Sequence, residues 1–439
     1  MALRADGDSP SRNEPFRWLR DRRTVVFGRS LDAFRGFRRP VYAIAIGRLV
    51  NVFGSGLVYP FASVHFHLQV GIPLSLVGLG LLANNVATAA GTALGGYLAD
   101  RYGRRPIMVW SMALSTLTLS AYALVATAAQ FVAVATAAGL TVGLYAPASQ
   151  AMTADLTDAA ERERGYALLK VASNAGFGTG FVVGGVLYSF ASTAIFVADG
   201  LTSGVVAAVL LAVLPRVHDG RATASLADSV DAWRRAVTRP RILALALLNV
   251  GFAVMYAQMQ ATVPVVAAET LSLSSAQLGT LYVLNPAVIV LFQMPLVAAV
   301  TRWRRTRGLV ASAGLWAASF LAIMAVPGVP RLVGVALVGV FLVVRTAAEI
   351  LHAPLATSLA SDLGRAAERG SQLSLLEIAK RLGMGVGAAV GGVFFDYGLQ
   401  HLLWPLLVAV CVAIALGLLA LERRLSSAEN GSVPVSSSD

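Results

Sequence analysis

Nine ionisable side chains fall inside long apolar stretches of this sequence: Arg48, Lys170, Asp199, Arg345, Glu349, His352, Glu377, Lys380 and Arg381. A charge at membrane depth costs about 2.5–3.5 kcal/mol on insertion scales, so such residues mark ion and substrate paths by default. Arg345 and Glu349 are four apart and stack on one helix face. Glu377 stands likewise to Arg381, with Lys380 one position nearer. A carboxyl group in such surroundings can take up and release a proton near neutral pH, which makes Glu349 the first candidate proton carrier. His352 and Glu377 are the others, although a histidine here is as often simply hydrogen-bonded, and Glu377 can serve only to neutralise its basic neighbours. The chain has two lysines, Lys170 and Lys380, and both belong to this set. Asp199 is expected on an outer helix, where an acid has no evident role.

The elements that hold these residues follow from composition. Of 439 residues, 56% are hydrophobic and 13% charged, whereas soluble domains are about one quarter charged. A membrane helix needs about 20 apolar residues, and twelve such spans are expected, centred near residues 53, 88, 117, 142, 178, 203, 254, 288, 318, 345, 383 and 412. With the N-terminus cytoplasmic, the loop arginines from Arg101 to Arg424 collect on the inner side, and Arg331 is the outer exception. That asymmetry predicts both termini inside a cell inner (plasma) membrane. It also accounts for the net charge of +12 without a nucleic-acid partner. Cys411 is the single cysteine and reads as a packing thiol. The Arg-rich N-terminus lacks a short apolar core before a cleavage site and reads as a retained tail.

The chain repeats itself. Ala146-Pro147, seven residues and Asp155-Leu156 recur 207 positions later as Ala353-Pro354, seven residues and Asp362-Leu363. Gly176, Gly178, Gly180, Gly184 and Gly185 recur as Gly383, Gly385, Gly387, Gly391 and Gly392. Duplicated membrane units are the mark of a secondary transporter, with its path between them. The expected fold is therefore an all-α membrane protein, with twelve helices in two pseudo-symmetric six-helix bundles. The expected division is a basic tail 1–40, a first bundle 41–215, a connector 216–240, a second bundle 241–424 and a disordered tail 425–439.

Between the second and third spans stands Gly95-Gly96-Tyr97-Leu98-Ala99-Asp100-Arg101-Tyr102-Gly103-Arg104-Arg105. This run resembles the inner-loop signature of the major facilitator superfamily, and the resemblance extends over residues 40–424. It can be read physically as well. Asp100 at a helix end can accept the free N–H groups of a neighbouring helix start. Gly96 permits close helix approach and Gly103 a tight turn. Arg101, Arg104 and Arg105 can pair with Asp155. The resemblance implies that this cluster latches the inner side shut when the outer side is open. In the second copy Val300 replaces the acid, so a latch there should be weak or absent.

The glycines Gly176, Gly180, Gly184 and Gly185 resemble the family's antiporter motif, with Phe181 where proline is usual. They equally suit plain helix packing, as do Gly383, Gly387, Gly391 and Gly392. The arginine that drug–proton antiporters often carry in the fourth span is missing, since residues 131–146 hold no charge. The resemblance further implies that the first, fourth, seventh and tenth spans line a central cavity. Arg48, Lys170, Arg345, Lys380 and Arg381 then outnumber Glu349 and Glu377 near the path, which favours anionic or zwitterionic amphiphiles. Asn51, Tyr59, Tyr145, Asn174, Tyr256, Gln258 and Asn285 complete the substrate-path candidates, though each could merely bridge helices.

The resulting expectation is a monomeric, lipid-embedded secondary transporter similar to bacterial drug-efflux members, exchanging a small amphiphile for protons. The alternatives are an exporter of an endogenous anionic metabolite or lipid and, in another class, a non-transporting sensor or assembly partner. No enzyme, cofactor or metal is expected: no nucleophile–base or metal-ligand cluster stands out, and the glycine run follows no strand.

Overall fold

The computed structural model describes residues 36–158, 161–215, 238–363 and 369–431. Most of the expected tail 1–40 and connector 216–240, and residues 432–439, lie outside them. The described residues form helices and no strand. In chain order the long helical segments are α1 (Arg39–Gln69), α2 (Leu74–Tyr102), α3 (Arg104–Leu124), α4 (Ala128–Leu156), α5 (Arg162–Phe190) and α6 (Ala194–Val213). They continue with α7 (Pro240–Glu269), α8 (Ser275–Val300), α9 (Arg305–Gly328), α10 (Arg331–Asp362), α11 (Arg369–Asp396) and α12 (Gln400–Glu422). Eleven of these, all but α5, are long and apolar enough to cross a membrane. Helix α5 has the length, at 29 residues, but its glycines and Asn174 dilute its apolarity.

Local chemistry sets the helix ends. Pro40 and Pro240 open α1 and α7, where a missing N–H is no loss. Thr127 with Gln130, and Ser274 with Gln277, form reciprocal capping boxes at the starts of α4 and α8. Gly103 takes φ 95° in the turn between α2 and α3, a conformation that only glycine adopts easily. Pro147 in α4 and Pro354 in α10 interrupt the backbone ladder at matching places.

The packing has a two-fold relation. Helix α1 packs on α5 and α6, α2 on α4, and α3 on α4 and α6. Adding six to each number gives the pairs of the second half: α7 on α11 and α12, α8 on α10, α9 on α10 and α12. The halves meet along two seams, α2–α11 and α5–α8, which the same operation interchanges. The duplicated glycines explain both levels of contact. Gly176 and Gly184 lie against the Leu49 and Leu57 carbonyls of α1, and Gly387 against the Val254 carbonyl of α7. Gly185 faces Ser275 of α8, and Gly392 faces Leu74 and Ser75 of α2. One side of each stripe thus builds a bundle while the other joins the halves, at the end remote from the arginine-rich loops. The hydrogen bonds from Ser63 to the Gln260 carbonyl and from the Leu74 and Ser75 N–H groups to Asp396 join the halves at that same end.

The C-terminal tail, expected to be disordered from residue 425, is described through Gly431 and folds back on α7 and α9. Glu429 pairs with Arg241 at 3.0 Å, while Asn430 accepts from the Thr306 N–H at 3.0 Å and donates to its hydroxyl at 2.9 Å. Hydrogen bonds from Ser426, and Arg241 beside it, hold the Glu429 carboxyl below its ordinary range. A carboxylate so depressed stabilises the clasp above the ordinary glutamate range and is lost only as pH falls through the depressed value. Pepsin should therefore cut the 425–431 segment slowly at mild acidity and faster at stronger acidity, while Glu429→Gln is cut readily throughout. Equal cleavage of both proteins at mild acidity would remove Glu429 from the clasp.

Candidate functional site

The most connected polar group lies between α7, α8, α9 and α10. Arg345 donates to Glu349 at 2.6 Å, with the arginine side chain 3% exposed and the glutamate 31%. The acid therefore faces open space while its base is enclosed. The guanidinium lies over the rings of Trp316, at 5.2 Å, and Tyr256, at 5.6 Å, a cation–π arrangement that partly replaces lost hydration. It also touches the Met259 sulfur. Asn285 of α8 donates to Thr346 at 2.9 Å and to Glu349 at 3.3 Å. Tyr59 of the first half, packed on Phe177 and Phe181, lies within electrostatic reach of both Arg345 and Glu349. Here the second bundle meets the first.

His352 continues this network. Its Nδ1 lies 3.3 Å from the Tyr256 hydroxyl, its ring rests 4.1 Å from that of Phe252, and its Nε2 is buried without a partner. Lys380 acts on it electrostatically. Separating Glu349 from Arg345 would leave the enclosed guanidinium without its counter-charge.

The first half presents a separate cavity of about 380 Å³ lined by Arg48, Tyr145, Lys170 and Ser173. Arg48 Nε donates to Ser173 at 2.9 Å, and Lys170 is exposed to the cavity. Asn174 lines a second, apolar space of about 850 Å³ between α5 and α8. Pairing changes the charge tally predicted for the path. Glu349 neutralises Arg345, and Glu377 neutralises Arg381 at 3.1 Å. Arg48, Lys170 and Lys380 pair with no carboxylate among the described residues.

Three expected path or surface residues lie elsewhere. Asn51 is buried and reaches Ser203 of α6 at 3.4 Å, so it bridges helices. Gln258 is wholly buried and donates to the Val254 and Gly387 carbonyls, stapling α7 to α11. Asp199 is 4% exposed and sits against Gly54 of α1, with Oδ1 lacking a partner. An outer span was the reason to expect it exposed, but the α1–α6 contact buries that face.

In the inner-loop motif only Arg104 reaches Asp155. Arg105 instead donates to the Leu211 carbonyl and Arg101 to Tyr97. Gly96 makes only a loose approach to Pro147. Asp100 is exposed and pairs with no described residue. The second copy is richer than Val300 suggested: Arg305 meets Asp362 at 2.6 Å, and Glu422 binds Arg304 and Arg307. An acid supplied by α12 replaces the missing one. A further residue that sequence reasoning missed is Asp396, at the end of α11. Its two oxygens accept from the Leu74 and Ser75 N–H groups at 2.7 and 2.9 Å, capping α2 across the seam. Only knowledge that α2 and α11 are antiparallel neighbours could have singled it out.

Comparison with known proteins agrees with this architecture. The family profile of the Major Facilitator Superfamily matches residues 44–269 and 250–435. The MFS-type transporter YttB of Bacillus subtilis (strain 168) is 25% identical over 398 residues, covering 89% of this chain and 97% of that protein. The multidrug resistance protein MdtH of Yersinia enterocolitica is 24% identical, over 88% and 96%. Among solved structures, the nucleoside transporter NupG superposes with TM-score 0.74 at 14% identity, covering 88% of this chain and 100% of that one. A peptide transporter POT in complex with sulfate gives 0.74 at 14%, over 89% and 96%. With a family match spanning both bundles, the chain belongs to the major facilitator superfamily and is a membrane transporter, not an enzyme.

Proposed function

We propose that this transporter exports small amphiphilic molecules from the cell by proton-driven alternating access, with α5 as the twelfth span and both termini cytoplasmic. The cell inner membrane and a monomeric state go with that reading. The carrying observation is the Arg345–Glu349–Asn285 cluster, an acid half open to the path and tied to a buried base where the two halves meet. With the arginine-rich loops inside, the seams seal the outer face and the described state opens inward. The likeness to multidrug resistance protein MdtH supports efflux of varied compounds. The unpaired cations Arg48, Lys170 and Lys380 favour the second reading, export of an endogenous anionic metabolite or lipid.

Substrate-driven proton movement in liposomes tests the scheme. Glu349→Gln should abolish coupled proton flux and slow uphill transport by about tenfold or more, while downhill exchange survives. Unchanged coupling in that variant would exclude Glu349 as carrier and shift attention to His352 or Glu377.

A further inference from the structure

The cavity at Arg48 and Lys170 has features that its place in a transporter does not require. Two cations border it with no acid among the described residues, although an unpaired charge at membrane depth is costly. Arg48 is held in place by Ser173, which accepts its Nε–H and leaves the rest of the guanidinium available. Tyr145 is 2% exposed, and its hydroxyl, beside Ser149 and Arg48, forms no well-made hydrogen bond. A buried donor left unmatched costs about 1–3 kcal/mol, so an occupant that accepts from it recovers that loss. Ser149 and Gln150 add neutral donors around the same space. All these groups can donate, two carry positive charge, and no carboxylate among the described residues lines the cavity.

Helix α5 borders both this cavity and an apolar one. Its Lys170 and Ser173 border the charged space, and its next residues, Val171 and Asn174, border the 850 Å³ space shared with α8. There Val182, Val183, Val290 and Leu291 offer apolar surface. We infer that Arg48, Lys170 and Tyr145 form a binding site for the phosphate or carboxylate head of an anionic amphiphile, whose apolar chain lies along the α5–α8 space. The inference rests on the transport reading and assigns the class of cargo to it.

The test is binding to the purified full-length protein in nanodiscs of uncharged lipid, followed by calorimetry. The probes are dodecyl phosphate, inorganic phosphate and dodecyltrimethylammonium. Dodecyl phosphate should bind, and Lys170→Gln and Tyr145→Phe should each weaken it by about tenfold, the effect of losing one hydrogen bond to a charged group. Lys170 is exposed, so its replacement does not threaten folding; Arg48→Gln is read only where its melting temperature matches the wild type. Binding of inorganic phosphate with the same Lys170 dependence supports the anion site and identifies the head alone as sufficient. Its failure alongside binding of dodecyl phosphate supports the amphiphile. Equal or tighter binding of dodecyltrimethylammonium, or dodecyl phosphate binding indifferent to Lys170 and Tyr145, overturns the inference. Binding without flux of dodecyl phosphate in liposomes would leave the site standing and sink the transport reading alone.

Discussion

Gly392→Val should leave the protein folded but unable to close the end remote from the arginine-rich loops, and its transport should fall by about tenfold to a hundredfold. A side chain at Gly392 would run into Leu74 and the Ser75 nitrogen, at 2.5 Å from the latter. These atoms belong to the other half, so the halves can relieve the clash by separating at that end. Overpacking costs about 1–3 kcal/mol, and here the cost falls on one conformational state. A penalty of that size moves a two-state equilibrium by about 5- to 150-fold. Gly387→Val supplies the contrast. Its neighbour is the Val254 carbonyl, 2.6 Å away within the same bundle, so no rocking motion relieves it and the loss appears as a lower melting temperature. Spin labels on loops 70–73 and 397–399 should report a wider separation in the Gly392 variant and no change in the Gly387 variant. Identical distances in both would deny that the seam is a gate.

The duplication made much of this arrangement legible beforehand. Matching glycine runs and Ala-Pro-Asp runs announced two like bundles, and the structure's packed pairs repeat under a shift of six helices. The Arg345–Glu349 pair was readable from spacing alone, because residues four apart on a helix must share a face. What escaped were contacts between helices distant in sequence. Asn51 and Gln258 carry the same amide as Asn285, and only the neighbours decide that the first two staple helices while the third reaches Glu349. Asp199 illustrates the same gap, since its burial depends on the α1–α6 contact. The Glu422 carboxylate could not be linked to Arg304 and Arg307 until α12 was known to lie beside α9.

Asp396→Asn and Asp100→Asn should shift the transporter in opposite directions. Helices α2 and α11 run antiparallel along one seam, so each brings a C-terminal acid near the other's N-terminal end. Asp396 now accepts two N–H groups at the start of α2, where the helix dipole adds to the attraction. Asp100, at the far end of α2, is exposed and pairs with no described residue, in keeping with a seam parted at that end. In the opposite state Asp100 would meet the start of α11, and Asp396 would lose the start of α2. The two acids then act as alternate caps, one engaged in each state. Charge-assisted hydrogen bonds contribute about 1.5–3 kcal/mol each, so neutralising one acid should change the ratio of states by about tenfold or more. Asp396→Asn should populate the form parted at the Asp396 end, Asp100→Asn should deplete it, and the double variant should return near the wild-type ratio with faster interconversion. Spin-label distances at both ends of the seam read all three; shifts of the same sign in the single variants would break the reciprocal scheme.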